Sequence, residues 1–195
     1  MIYIKNTLIK NNKMKNILTY KNFIPKIHDT AFIAQNAIIS GDTVIGENSS
    51  VWYGCVIRGD VCHVRIGDNT NIQDGTIIHV TRPNHIANKT KNDGAPTIIG
   101  SNVTIGHKAI IHACTIQDNS FVGMGSILMD LSIVEEYSML AAGAVLTPGK
   151  IVKSGQLWVG NPAKFFRDLT QEEKDFIKVS ADNYKELANE YKFNK

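Results

Sequence analysis

The sequence predicts an all-β chain wound into a parallel β-helix of about seven coils and closed by one C-terminal α-helix. Three observations predict it. Aliphatic residues recur every six positions over most of the chain, small polar and glycine residues sit beside them at a constant phase, and the last stretch changes to a helical period behind a capping signal.

The six-residue beat runs through Ile27, Ile33, Ile39, Ile45, Val51 and Ile57, slips by three, and resumes at Ile66, Ile72 and Ile78. It passes a polar stretch to Ile99, Ile105 and Ile111, slips by one, and continues through Ile116, Val122, Leu128, Val134, Leu140, Leu146, Val152 and Trp158. Every position of that register is apolar in a chain that is 43% hydrophobic, which chance does not produce. An amphipathic helix repeats near 3.6 residues and a strand near 2, so neither accounts for a period of six. Hexapeptide units do, each supplying one short strand and a corner, with three closing a triangular coil. The corner residues, as in Ile45-Gly46-Glu47-Asn48 and Ile66-Gly67-Asp68-Asn69, are types that accept positive φ and close turns.

Taken in order, residues 1–23 form a Lys- and Asn-rich tail outside the register, read as solvated, with Met14 as an alternative start. Residues 24–168 form the β-helix domain, with a protruding polar loop at 80–96. Gly160-Asn161-Pro162 turns the chain, and the Phe165-Phe166 pair is read as buried packing for that turn. Residues 169–192 form the α-helix: Thr170-Gln-Glu-Glu173 is a capping box, and Phe176, Ile177, Tyr184, Leu187, Ala188 and Tyr191 mark the face that lies on the β-helix.

Charge excludes a nucleic-acid surface. The net charge is +3, but six lysines and no acid precede Ile27, so the remainder carries fifteen basic and eighteen acidic side chains. Three cysteines, Cys55, Cys62 and Cys114, are an odd number without a disulfide pattern, and no apolar run reaches membrane-spanning length. A reduced, soluble, cytoplasmic setting without membrane contact is expected. Cys55 and Cys114 are read as small core or corner residues.

Three of the six histidines, His79, His107 and His112, fall beside register isoleucines and are read as one metal site. His79 and His112 are 33 positions apart; if the loop adds fifteen, one coil remains, and the two stack about 4.8 Å apart at one corner. His107 belongs to the preceding corner, so a threefold assembly is needed to bring it beside a neighbour's His79 and His112. Three imidazoles and an open position suit a metal that lowers the pKa of bound water to about 7.

Ser50-Val-Trp-Tyr-Gly-Cys-Val-Ile-Arg-Gly-Asp60, Thr70-Asn-Ile-Gln-Asp-Gly-Thr-Ile-Ile-His79, Ile105-Gly-His107 and Ile111-His112-Ala-Cys-Thr115 together resemble the gamma-class carbonic anhydrases and their bacterial relatives, over about residues 24 to 192. The resemblance implies a left-handed β-helix and a homotrimer. It also implies a divalent metal on His79, His107 and His112, zinc first with iron or cobalt as alternatives. It further implies that Gln73 hydrogen-bonds the metal-bound water, that Asn71 orients substrate, and that Arg58, Asp60 and Asp74 form an ionic network at the subunit contact. Tyr184 resembles an aromatic hydroxyl that reaches the site.

The implied reaction is reversible hydration of carbon dioxide to bicarbonate by a metal-bound hydroxide. Two departures argue for low activity: Val61 stands where the best-studied members carry a glutamate, and Asp93 is the only acid of the 80–96 loop. His63 and His85 are alternative proton carriers, read first as surface residues. Acyl-coenzyme A thioester hydrolysis or hexapeptide acyl transfer is the alternative function, and a non-catalytic metal-binding or assembly subunit is the third.

Overall fold

The computed structural model describes residues 16–84 and 94–193, without the side chain of Phe193. Short strands, most of two or three residues, stack in parallel into a three-sided solenoid of about seven turns, followed by helix α1, Gln171–Phe193.

Each side collects one strand per turn. The aliphatic face stacks the first halves of Ile38–Ile45 and Val56–Ile66, then Ile77–His79, Ile110–His112, Ile127–Leu128 and Val145–Leu146. The side face stacks Lys26–Ile27, the second halves of the same two long strands, Thr97–Ile99, Thr115–Ile116, Ile133–Val134 and Ile151–Val152. The helix face stacks Phe32–Ile33, Ser50–Val51, Asn71–Ile72, Thr104–Ile105, Phe121–Val122, Met139–Leu140 and Gln156–Val159, to which Lys164–Asp168 pairs antiparallel.

Register residues are partners of one another within a face, so the six-residue beat becomes three inward columns. Ile39, Ile57, Ile78, Ile111, Leu128 and Leu146 form one of them, each 0–1% exposed. Full burial of such a side chain is worth about 1.5–3 kcal/mol, and the columns are the core.

Corners turn on residues with positive φ. Where the side face meets the helix face, Asn48, Asn69, Asn102 and Asn119 hold φ of 54, 52, 57 and 54°. Asn69 Nδ2 donates to Asn102 Oδ1 at 3.3 Å, and Asn102 Nδ2 to Asn119 Oδ1 at 3.2 Å. Asparagine visits this region at low cost, which is why it recurs there.

The three-residue slip has a structural meaning. Ile38–Ile45 and Val56–Ile66 each bend round a corner; Gly41 faces Gly59 and Thr43 faces Val64, so Asp60 to His63 bulge out opposite Asp42 alone. The strands approach so closely there that a Cβ on Gly41 would lie 2.1 Å from the Gly59 carbonyl oxygen. The 80–96 loop leaves the next turn at the same corner. Thr81 and Ala95 bridge antiparallel across its base, while His85 and Asp93 lie outside the described residues.

Three expectations need correction. The N-terminal stretch joins the solenoid earlier than Ile24: Ile17–Leu18 pair with Ile39–Ser40, and Asn16 Nδ2 donates to the Ala37 carbonyl at 2.5 Å. Phe165 and Phe166 are 51% and 61% exposed, because their strand is an edge hairpin with no further turn stacked over it. The capping box is present, with the Glu173 N–H donating to Thr170 Oγ1 at 3.2 Å and the Thr170 N–H to Glu173 Oε2 at 3.0 Å. The buried face of α1, however, is Ile177, Ser180, Ala181 and Ala188, with Tyr184 half-buried; Phe176, Leu187 and Tyr191 flank it, partly exposed. Small residues let the helix lie close to the sheet, and the large ones pack at its margins, Phe176 on Phe121 and Tyr191 on Phe32 and Trp52. Among the described residues no helix is long and apolar enough to cross a membrane.

Candidate metal centre

Two corners border the aliphatic face, and the three histidines divide between them. His79 and His112 end their strands at the corner toward the side face and are register partners in successive turns. His107 follows Thr104–Ile105, at the corner where the helix face gives way to the aliphatic face. Among the described residues no group of three or more His, Cys, Asp or Glu side chains is placed to hold a metal ion within the single chain.

Each imidazole nevertheless stands against its own carboxylate. His79 Nε2 lies 3.0 Å from Asp60 Oδ1, His112 Nδ1 lies 2.6 Å from Asp130 Oδ1, and His107 Nδ1 lies 2.9 Å from Asp74 Oδ2. A carboxylate accepts, so in each neutral ring the contacted nitrogen carries the proton and the other nitrogen carries the lone pair. His79 Nδ1 then faces His112 Nε2 at 3.2 Å, lone pair toward lone pair. Two such nitrogens repel unless a proton or a metal ion lies between them. Their separation matches the roughly 3.3 Å expected for two ligands of one tetrahedral ion with bonds of about 2.0–2.1 Å. The donor set therefore fits a divalent metal, and the carboxylates are of the kind that orient ligating histidines.

The electrostatics agree. Burial holds the His79 imidazole below its ordinary value against the opposing pull of Asp60, which favours the neutral ring, the form a metal would need. Burial works against charge on Asp60, but hydrogen bonds from His79 and Arg58 outweigh it and hold the carboxyl below the usual range. Arg58 and Asp60 pair directly. Asp74 is at the other corner, held by His107 and by the Tyr53 N–H at 3.2 Å, so the expected three-residue ionic network is not contiguous within one chain.

Gln73 and Asn71 are buried beside the His107 corner. The His107 N–H donates to Gln73 Oε1 at 3.2 Å, Gln73 Nε2 to Asn71 Oδ1 at 3.1 Å, and Asn71 Nδ2 to Thr104 Oγ1 at 2.9 Å. Thr104 Oγ1 in turn lies 3.1 Å from Ser180 Oγ on α1, so the helix is tied to this polar chain. Tyr184 stacks edge-on against Trp52, with ring centres 5.6 Å apart. Burial, reinforced by the charge of Asp74, pushes its phenol above the ordinary value, so the hydroxyl stays protonated at neutral pH. His63 lines an adjoining groove with Lys21 and Phe23 that shares Tyr20, Asp60, Val61 and Arg82 with the cavity at the His79–His112 corner, and its pKa is lowered by burial and by Arg65.

The His79–His112 corner opens into a cavity of about 590 Å³, also lined by Arg58, Asp60, Val61, Met129 and Asp130. Between the two corners the aliphatic face turns Ile38, Val56, Ile77, Ile110, Ile127 and Val145 outward, and Ile38, Ile77 and Ile110 are 40%, 47% and 40% exposed. Asp130 and Thr81 were not singled out from the sequence. The signal for Asp130 was available: it stands eighteen residues, one coil, after His112.

Fold and site together define a hexapeptide-repeat β-solenoid with histidine–carboxylate pairs at the two corners that border one face. A family model described as bacterial transferase hexapeptide (six repeats) matches residues 24–59. The chain is 45% identical over 186 residues to gamma carbonic anhydrase 1, mitochondrial, of Arabidopsis thaliana, covering 95% of this chain and 65% of that protein. It is 39% identical over 176 residues to a carbonic anhydrase of Geobacillus kaustophilus, covering 90% and 91% of the two chains. A crystal structure titled as a hexapeptide transferase family protein from Anaplasma phagocytophilum superposes with a TM-score of 0.82 at 51% identity, covering 89% and 96%. The chain belongs to the gamma-class carbonic anhydrase family of hexapeptide-repeat proteins. It spans less than two thirds of the length of the plant mitochondrial relatives, 65% and 57% of the first two.

Proposed function

We propose that this protein is a metal-dependent carbonic anhydrase-like enzyme that interconverts carbon dioxide and bicarbonate, working as a left-handed β-helical homotrimer in the cytoplasm with a metal at each subunit contact. The observation that carries the reading is the pair of carboxylate-backed nitrogens of His79 and His112, facing each other at 3.2 Å. The placement of the histidines supports the assembly. The open aliphatic face has His107 at one edge and His79 with His112 at the other, so a closed ring of copies sets one chain's His107 edge against its neighbour's His79–His112 edge.

His79, His112 and a neighbour's His107 would hold the ion, with zinc preferred and iron or cobalt as alternatives, since imidazole serves all three. A divalent ion so held supplies a water-derived nucleophile at neutral pH, because it lowers the pKa of a bound water to about 7. The chain's own groups do the rest. Asp60 and Asp74 hold the His79 and His107 rings. Gln73, its amide oriented by the His107 N–H and by Asn71, presents its side-chain N–H edge beside the His107 corner, where Asn71 orients substrate. Tyr184 supplies a neutral hydroxyl, and Arg58 with Asp60 and Asp74 completes an ionic contact between subunits. Val61 itself offers no proton acceptor, which argues for slow proton export.

The test is stopped-flow carbon dioxide hydration by zinc-, cobalt- and anaerobically iron-loaded protein, beside a thioester hydrolysis assay. Hydration by at least one loaded form is expected. Thioester hydrolysis alone would favour the acyl-coenzyme A reading, which the likeness to the hexapeptide transferase family protein of Anaplasma phagocytophilum also supports. Activity in neither assay with metal present would leave a non-catalytic metal-binding subunit.

A further inference from the structure

The strongest unassigned group at the site is Asp130. Its Oδ1 lies 2.6 Å from His112 Nδ1, and its Oδ2 accepts from Thr81 Oγ1 at 2.6 Å. Thr81 is 5% exposed and forms the base of the 80–96 loop through its antiparallel bridge to Ala95. One carboxylate therefore spans two elements that are adjacent only in the folded solenoid: the end of the Ile110–His112 strand and the root of the loop.

We propose that Asp130 is a positioning residue that sets the His112 ring for metal binding and couples it to the loop base through Thr81. The inference rests on the proposed metal site and adds a member to it. The geometry leaves His112 Nε2 as the ligating atom, since Nδ1 is committed to the carboxylate. The second oxygen of Asp130 is pinned by a hydroxyl from a buried threonine, so the carboxylate cannot swing away without losing a bond. Removal of such a partner behind a ligating histidine typically costs about 10–100-fold in metal affinity.

The experiment measures zinc affinity by chelator competition for the full-length protein and for Asp130→Ala, Asp130→Asn and Thr81→Val, with circular dichroism and particle size recorded for each. Asp130→Ala should weaken zinc binding about 10–100-fold. Asp130→Asn, whose amide oxygen still accepts from Nδ1–H and which keeps the side-chain volume, should restore part of that loss. Thr81→Val should lose less than Asp130→Ala. A double-mutant cycle of Asp130→Ala with Thr81→Val separates coupling from independent effects, since both single variants keep measurable zinc binding. If Thr81 acts through Asp130, Thr81→Val adds no loss once the Asp130 carboxylate is gone. Wild-type protein that binds zinc, with Asp130→Ala and Asp130→Asn both within twofold of it or with additive losses in the cycle, overturns the assignment alone. Wild-type protein that binds no zinc overturns the metal site and this assignment together.

Discussion

Nδ1 of His107 stands 2.9 Å from Oδ2 of Asp74, and Oδ1 of the same carboxylate takes the Tyr53 N–H at 3.2 Å. The ring is thereby anchored at the far edge of the aliphatic face from His79 and His112, with Nε2 as its uncommitted nitrogen. A site built from both edges has a specific signature: complementation between chains. His107→Ala and His112→Ala should each fold normally and bind almost no zinc. Mixed and reassembled at equal amounts, they should regain about a quarter of the wild-type sites, because random assortment gives that share of contacts with both edges intact. Elemental analysis of the separate and mixed proteins reads this directly, and no gain on mixing would count against a shared site.

The outward row of the aliphatic face predicts what holds the copies together. Ile77 and Ile110 are 47% and 40% exposed at its centre. Replacing either with aspartate introduces a charge where an apolar contact is expected to exclude water, while leaving the inward neighbours Ile78 and Ile111 in place. Light scattering should show trimer for the wild type and smaller species for Ile77→Asp and Ile110→Asp, with unchanged circular dichroism.

Inside the solenoid the cost of change is a packing cost. Ile111 is 1% exposed and lies between Ile78 and Leu128 in its column. Ile111→Ala should destabilise the chain by about 2–5 kcal/mol, and Ile111→Val by about 0.5–1.5 kcal/mol. Both are measurable as shifts of the denaturant midpoint at constant slope.

Thiol chemistry should discriminate sharply. Burial pushes the Cys114 thiol up to about 12 and the Cys55 thiol up to about 11, and both side chains are buried. Cys62 is only half-buried. A disulfide reagent at pH 8 should therefore modify Cys62 in the native protein and reach Cys55 and Cys114 only on unfolding. Mass spectrometry of the labelled peptides checks the assignment.

The helix cap predicts an acid-dependent stability. Hydrogen bonds from Arg167, at 2.7 Å to each carboxylate oxygen, and from the Thr170 N–H hold Glu173 down at about 2. A depressed carboxylate contributes stability above the unfolded value of about 4.3 and loses it as pH falls through its folded value. Glu173→Gln should be less stable than the wild type at pH 7, and the gap should close between about pH 4 and pH 2. Urea midpoints across that range measure it.

The periodicity determined the solenoid, because the direction of each side chain follows from backbone geometry over six residues and requires no knowledge of distant neighbours. Ile39 to Leu146 could be placed in one inward column by counting alone, and Thr170 with Glu173 marked the helix start by the same local logic. The spacing of His79 and His112 also survives counting, provided one length is assigned to the loop between them. Other features depend on the accumulated slips and on stacking. The bulge from Asp60 to His63 carries a carboxylate over His79, and the face of α1 that meets the sheet is chosen by how closely small residues allow it to approach. Phe165 and Phe166 remain outside because no turn follows them. Asp130 stacks one coil beyond His112, as its spacing shows, but it meets Thr81 only where the loop base is bridged by Thr81 and Ala95. A repeat fixes which residues point inward, but hydrogen-bond partners across turns are set by the sum of every insertion before them, and only the folded chain performs that sum.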